Sequence, residues 1–125
     1  MIRSLGPMGR IAFVRIERSS SRNAAVLDNF TGPPITFALD FDGTFTLSPR
    51  YWQNWILHAK TWGHTVIVVT YRQPGHPLEF DFAPLGVQVI YTDHVAKKKY
   101  METQGIKIDV WVDDRPEVCV TDGLQ

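Results

Sequence analysis

The feature that most constrains this chain is an alternation that begins at residue 35, where short apolar runs are separated by stretches of helical periodicity or turn composition. The runs are Ile35 to Leu39, Thr65 to Val69, Val87 to Tyr91 and Ile108 to Val112. They are rich in β-branched residues and too short for helices, so each predicts a strand. They are apolar throughout rather than alternating with polar residues, so both faces need covering, as in a parallel sheet flanked by helices. Val118 to Val120 predicts a fifth strand.

The intervening segments carry helix signals. Ser48 offers an N-cap and Pro49 a first helical position, while Trp52, Trp55, Ile56 and Ala59 recur at the three-and-four spacing of a buried face. One or two helical turns are expected within Leu78 to Leu85, and a helix from about Asp93 to Gln104, stopped by Gly105. The 125 residues allow one domain with a real core. Residues 1 to 33 differ: Ser19-Ser20-Ser21 and Gly32-Pro33-Pro34 are linker chemistry. They read as a partly disordered leader ahead of a folded domain at 34 to 125, with only Ile11 to Ile16 suited to a strand. A basic arm touching a polyanion is the functional alternative for that leader.

Thirteen basic residues balance thirteen acidic ones, so net charge gives no argument for a nucleic-acid or membrane surface. Cys119 stands alone, which excludes an internal disulfide and points to a reducing compartment. No apolar run approaches the roughly 18 residues of a membrane span, and no secretory signal pattern opens the chain. A cytoplasmic protein with no membrane partner is expected.

Polar residues fall at telling positions. Asp40, Thr70, Thr92 with Asp93, and Asp113 with Asp114 each stand at or just past the C-terminal end of a predicted strand. In a parallel sheet those ends share one edge, where α/β folds bind ligands and helix N-termini face the site. Each alone has a plainer reading: Asp93 as a turn former or N-cap, Thr70 as a β-branched strand terminator, Asp113 and Asp114 as solvated turn residues. Four independent runs delivering carboxylates and hydroxyls to one rim need a common reason.

Phosphoryl chemistry supplies one. A carboxylate attacking a phosphate dianion needs a cation between them and a second group to protonate the leaving oxygen. Asp40 and Asp42, on one face of a strand by period two, suit nucleophile and acid/base, and Gly43 permits a sharp coil after them. Mg²⁺ favours octahedral oxygen coordination, which Asp40 and Asp113 would supply with a backbone carbonyl and waters. Lys97 is the cation expected at the phosphoryl oxygens, with Lys98 next: Lys97 lies three before Tyr100 and four before Met101, the expected core anchors, whereas Lys99 points away. Thr70 would donate its hydroxyl to another phosphoryl oxygen.

The pattern over residues 35 to about 118 resembles the haloacid dehalogenase-like superfamily of phosphohydrolases. An apolar strand ending Asp-x-Asp-Gly-Thr resembles Leu39 to Thr44; a Ser or Thr closing the next strand resembles Thr70; a lysine near a helix start resembles Lys97; an apolar strand ending in paired acids resembles Val110 to Asp114. The resemblance implies a Rossmann-like three-layer α/β sandwich with a mostly parallel sheet. It implies that Asp40 becomes an aspartyl phosphate, that Asp42 serves as acid and then base, and that Mg²⁺ is held by Asp40, the Asp42 backbone carbonyl, Asp113 and Asp114. Thr70, Lys97, Gly43 and Thr44 would hold phosphate. Only Phe45 to Leu47 and Thr92 to Ala96 occupy the places where cap domains insert, so a capless member is expected, whose open site suits a bulky or polymeric phosphoester or takes a lid from a second subunit. Asp113-Asp114-Arg115-Pro116-Glu117 is also similar to the fourth motif of polynucleotide 3′-phosphatase domains, a pointer to nucleotide or nucleic-acid ends. Tyr71, Arg72 and His76 follow the second strand on the same rim, and Arg72 is the expected further substrate contact.

Rival readings fare less well. A calcium loop fails because the glycine is misplaced and Tyr51 stands where the bidentate Glu belongs. The metal-binding Asp-x-Asp of a sugar transferase normally sits in a larger domain. A receiver-like signalling domain places its lysine late in the chain, whereas here the paired acids follow the lysine. A phosphatase-like fold that binds phosphate without turnover is the remaining alternative.

Overall fold

The computed structural model describes residues 2–3, 13–16 and 32–123. Six strands form one sheet in the order β1-β2-β6-β3-β4-β5, with β1 at Ile2–Arg3, β2 at Phe13–Ile16, β3 at Thr36–Leu39, β4 at Thr65–Thr70, β5 at Gln88–Tyr91 and β6 at Val110–Asp113. The four strands β6, β3, β4 and β5 run parallel, as their apolar sequences require, whereas β1 and β2 extend the β6 edge antiparallel. The expected strand within Ile11 to Ile16 is therefore present as β2 and belongs to the sheet. The serine-rich linker reading falls on residues 17–31, outside the described residues.

Period-two alternation sorts the strand residues into two cores. Leu39, Val66, Val68, Val110 and Val112 pack with Ile56 and Ala59 of helix α1 (Pro49–Thr61) and with Phe41, Phe45 and Phe82. Ala38, Ile67, Val69 and Trp111 pack instead with Met101 of helix α2 (Lys97–Thr103) and with Cys119 of the short helix α3 (Glu117–Val120). Each aliphatic side chain buried this way is worth about 1.5–3 kcal/mol. Ser48 does take the N-cap position of α1 and Pro49 the first turn, although the serine side chain makes no cap bond. The expected turns within Leu78 to Leu85 reduce to a 3₁₀ turn at Ala83–Leu85.

Two expectations are corrected. Residues 118–120 form helix rather than a fifth strand: Pro116 is already in the right-handed region, and Val118 and Cys119 donate to the Arg115 and Pro116 carbonyls. Both sides of β6 are also taken, by β2 and β3, so no edge beside it remains to accept another strand. Helix α2 starts at Lys97, not near Asp93, because Asp93 and His94 have φ of 54° and 65°, which a right-handed helix excludes.

Candidate active site

The chain after β3 does not continue extended. Asp40 donates its backbone N–H to the Val112 carbonyl at 3.0 Å, and the backbone then coils so that Thr44 and Thr46 donate to the Phe41 carbonyl and Phe45 to that of Asp40. Phe41 and Phe45 bury themselves in the α1-side core and stack with centroids 5.6 Å apart. Gly43, at φ 82°, supplies the left-handed step. A Cβ there would lie 2.2 Å from Asp114 Oδ2, so the glycine also makes room for the acid across the site. This coil corrects the expectation that Asp40 and Asp42 share a strand face: β3 stops at Leu39, and Asp42 lies on the turn.

Of the residues expected at the strand ends, Asp40, Asp113 and Asp114 meet, with Lys97 between them. Lys97 Nζ donates to Asp40 Oδ1 at 2.7 Å and to Asp113 Oδ2 at 2.5 Å, with all three side chains buried. Thr44 Oγ1 donates to Asp40 Oδ2 at 3.1 Å and lies 3.4 Å from Asp114 Oδ1, bridging the first and last motifs. Asp113 Oδ1 accepts the Arg115 backbone N–H at 2.9 Å, which sets the turn after β6. Thr70, buried at the end of β4, accepts the Arg72 backbone N–H on its hydroxyl and the Thr92 N–H on its carbonyl. Lys98 is half-buried, and Lys99 is exposed beside Asp122.

Electrostatics follow from burial. Asp40 is pushed up to about 6, burial outweighing the pull of Lys97 and the proximity of Asp114 adding to the rise. Asp113 is likewise pushed up to about 6 by burial, against Lys97. Burial draws the Lys97 ammonium down, but the combined attraction and hydrogen bonds of Asp40 and Asp113 hold it well above the ordinary lysine value. Cys119, whose thiol lies 3.8 Å from Asp113 Oδ2, is pushed up to about 12 by burial and is no nucleophile.

The donor set fits a divalent cation. One carboxylate oxygen from each of Asp40, Asp113 and Asp114 lies within 4.8 Å of the other two. In an octahedral Mg²⁺ shell neighbouring ligands lie about 3 Å apart and opposite ones about 4.2 Å, so the three oxygens would draw together to share one ion. Three carboxylates and one ammonium carry 1 − 3 = −2 when ionised, which one divalent ion neutralises. Burial is what chiefly raises Asp40 and Asp113, and the neighbouring carboxylates add to the rise.

Asp42 and Arg72 stand apart from this centre. Asp42 is turned to the rim, where Arg72 grips it in a two-pronged ion pair at 2.9 and 2.7 Å. The same guanidinium bonds Glu79, a residue that no sequence spacing singled out. Tyr71 donates its hydroxyl to the Thr121 carbonyl, and His76 is exposed. The chain matches no protein-family model, no curated protein and no solved structure.

Proposed function

We propose that the protein is a Mg²⁺-dependent phosphohydrolase of the haloacid dehalogenase-like kind, a small capless one with a Rossmann-like three-layer sandwich. It cleaves a phosphomonoester through an aspartyl phosphate. One observation carries the reading: Lys97 bridges Asp40 and Asp113 while Asp114 and Thr44 close the same cluster, so acids from the two ends of the domain share one centre.

Bound at Asp40, Asp113, Asp114 and the Asp42 carbonyl, Mg²⁺ would screen the phosphate charge from the attacking carboxylate. An Asp40 carboxylate oxygen bonds to phosphorus as the P–O bond to the leaving group breaks, and Asp42 gives that oxygen its proton. Water then attacks the aspartyl phosphate, Asp42 takes the water's proton, and Asp40 is released as carboxylate with inorganic phosphate. Lys97 holds Asp40 and Asp113 in register throughout, and the hydroxyls of Thr70 and Thr44 with the Gly43 turn line the phosphoryl oxygens. The connections at residues 40–48 and 92–96 are too short to carry a cap, which favours an accessible phosphate such as a nucleotide or nucleic-acid end, and leaves room for a second subunit over the site. No helix among the described residues is long and apolar enough to cross a membrane. On the lone cysteine we place the protein in the cytoplasm.

A non-catalytic phosphate-binding domain, receiver-like in its use, is the second reading. Under it, the engagement of Asp42 with Arg72 rather than with the Asp40 cluster is a purely structural ion pair. Release of phosphate from an aryl phosphate, nucleotides, sugar phosphates and 3′-phosphorylated oligonucleotides, with Mg²⁺ and with EDTA, separates the two. The enzyme reading expects turnover that disappears in Asp40→Asn; no Asp40-dependent release from any of these substrates removes it.

A further inference from the structure

We propose that Arg72 and Glu79 are a positioning pair for Asp42: the arginine orients the acid/base carboxylate, and the glutamate keeps the arginine on that duty and off the substrate. The inference rests on the phosphohydrolase reading above and assigns work to residues that reading leaves idle.

The hydrogen-bond count of the guanidinium carries it. Arginine has five N–H donors, and the structure gives each an acceptor. Nε donates to Asp42 Oδ2 at 2.9 Å, and Nη2 to Asp42 Oδ1 at 2.7 Å and Glu79 Oε1 at 2.9 Å. Nη1 donates to Glu79 Oε2 at 3.1 Å and to the Pro77 carbonyl at 2.8 Å. Every donor is therefore spent on protein, and none remains for a phosphoryl oxygen. The backbone is fixed as well, its N–H on the Thr70 hydroxyl and its carbonyl accepting from Asp93. The guanidinium lies 5.4 Å from the centroid of the buried Phe41 ring.

The Asp42 and Glu79 side chains are 54% and 68% exposed and that of Arg72 is 12% exposed, so this bidentate network adds to folding as well as to the site. What the fork does fix is direction: it confines an otherwise half-exposed carboxylate, two residues beyond Asp40, to one arrangement at the rim. An acid/base contributes only when its oxygen starts within reach of the reacting proton. Glu79 has a complementary effect. Two carboxylates on one guanidinium leave this corner at 1 − 2 = −1, so the arginine does not become a competing trap for phosphate.

The test compares an aryl phosphate that leaves unaided with an alkyl phosphate that needs its oxygen protonated. Arg72→Ala is expected to lower kcat on the alkyl ester on the order of 10- to 100-fold, to change the aryl ester far less, and to leave KM nearly unchanged on both. Arg72→Lys should restore part of the loss, and Glu79→Ala should reproduce the pattern at smaller amplitude. In an Asp42→Asn background Arg72→Ala should cost nothing further. Equal losses on both esters, a raised KM, or an undiminished loss in Asp42→Asn would overturn the proposal and make Arg72 a phosphate ligand or a structural residue. If Arg72→Ala fails to fold, Glu79→Ala, which leaves the Arg72–Asp42 pair in place, decides by the same comparison. A wild-type protein that releases phosphate from neither ester nor any nucleotide, sugar phosphate or 3′-phosphorylated oligonucleotide removes the phosphohydrolase reading itself and the pair's catalytic role with it, whereas failure of the proposal alone leaves wild-type, Asp40-dependent turnover intact.

Discussion

Lys97 reaches across 57 positions of sequence to place its ammonium 2.7 Å from Asp40 Oδ1, in a pocket where both side chains are almost fully buried. A second bond, to Asp113, makes the lysine the single positive charge between two buried carboxylates. Removing it is predicted to destabilise the fold by about 3–5 kcal/mol near neutral pH, because two buried acids are left without a cation. Urea unfolding of Lys97→Met in EDTA measures this. The loss should shrink at about pH 5, where Asp40 and Asp113 can take up protons.

The same acids set the pH dependence of the wild type. Both are raised from 3.8 to about 6, so the folded protein binds protons in that interval that the unfolded chain does not. Their contribution stabilises the metal-free fold as pH falls through 6 toward 4 and is lost as pH rises above 6. Mg²⁺ opposes protonation, so its stabilising effect should be large at about pH 7.5 and small at about pH 5. Thermal unfolding with Mg²⁺ and with EDTA at the two pH values checks the sign; a Mg²⁺ effect larger at the acid end contradicts it.

Gly43→Ala tests the coil. A side chain at φ 82° costs about 1–2 kcal/mol, and its Cβ would meet Asp114 Oδ2 at 2.2 Å. The variant should fold, lose a modest part of its stability and bind Mg²⁺ much more weakly, as titration calorimetry would report. Unchanged affinity would mean that Asp114 is not a ligand.

Ile56→Ala separates fold from site. Ile56 is fully buried in the apolar core on the α1 side of the sheet, so truncation should cost about 2–5 kcal/mol of stability. Below the lowered unfolding temperature, Mg²⁺ affinity should match the wild type.

How much of this was legible beforehand depends on the range of the interaction that decides each residue. The four parallel strands were readable from their β-branched runs, and the burial of Lys97 against the exposure of Lys99 from helical spacing alone. Val118 to Val120 has strand composition, yet it is helix, and both sides of β6 are taken by β2 and β3. The late start of α2 was hidden for a different reason: left-handed Asp93 and His94 are held by bonds from their N–H groups to the Arg72 and Tyr71 carbonyls, on a neighbouring loop.

The sequence by itself determined the parallel strands, the sharp turn at Gly43 and the delivery of Asp40, Thr70, Lys97 and Asp113 to one rim, since periodicity and strand polarity are local properties. Only the tertiary structure decided that Asp42 leaves that rim's centre for Arg72, and that Glu79 takes the other edge of the guanidinium. Those choices rest on side chains 30 and 7 residues apart meeting in a particular geometry. Hydrogen bonds depend on distance and angle in space, and no local pattern along the chain encodes either.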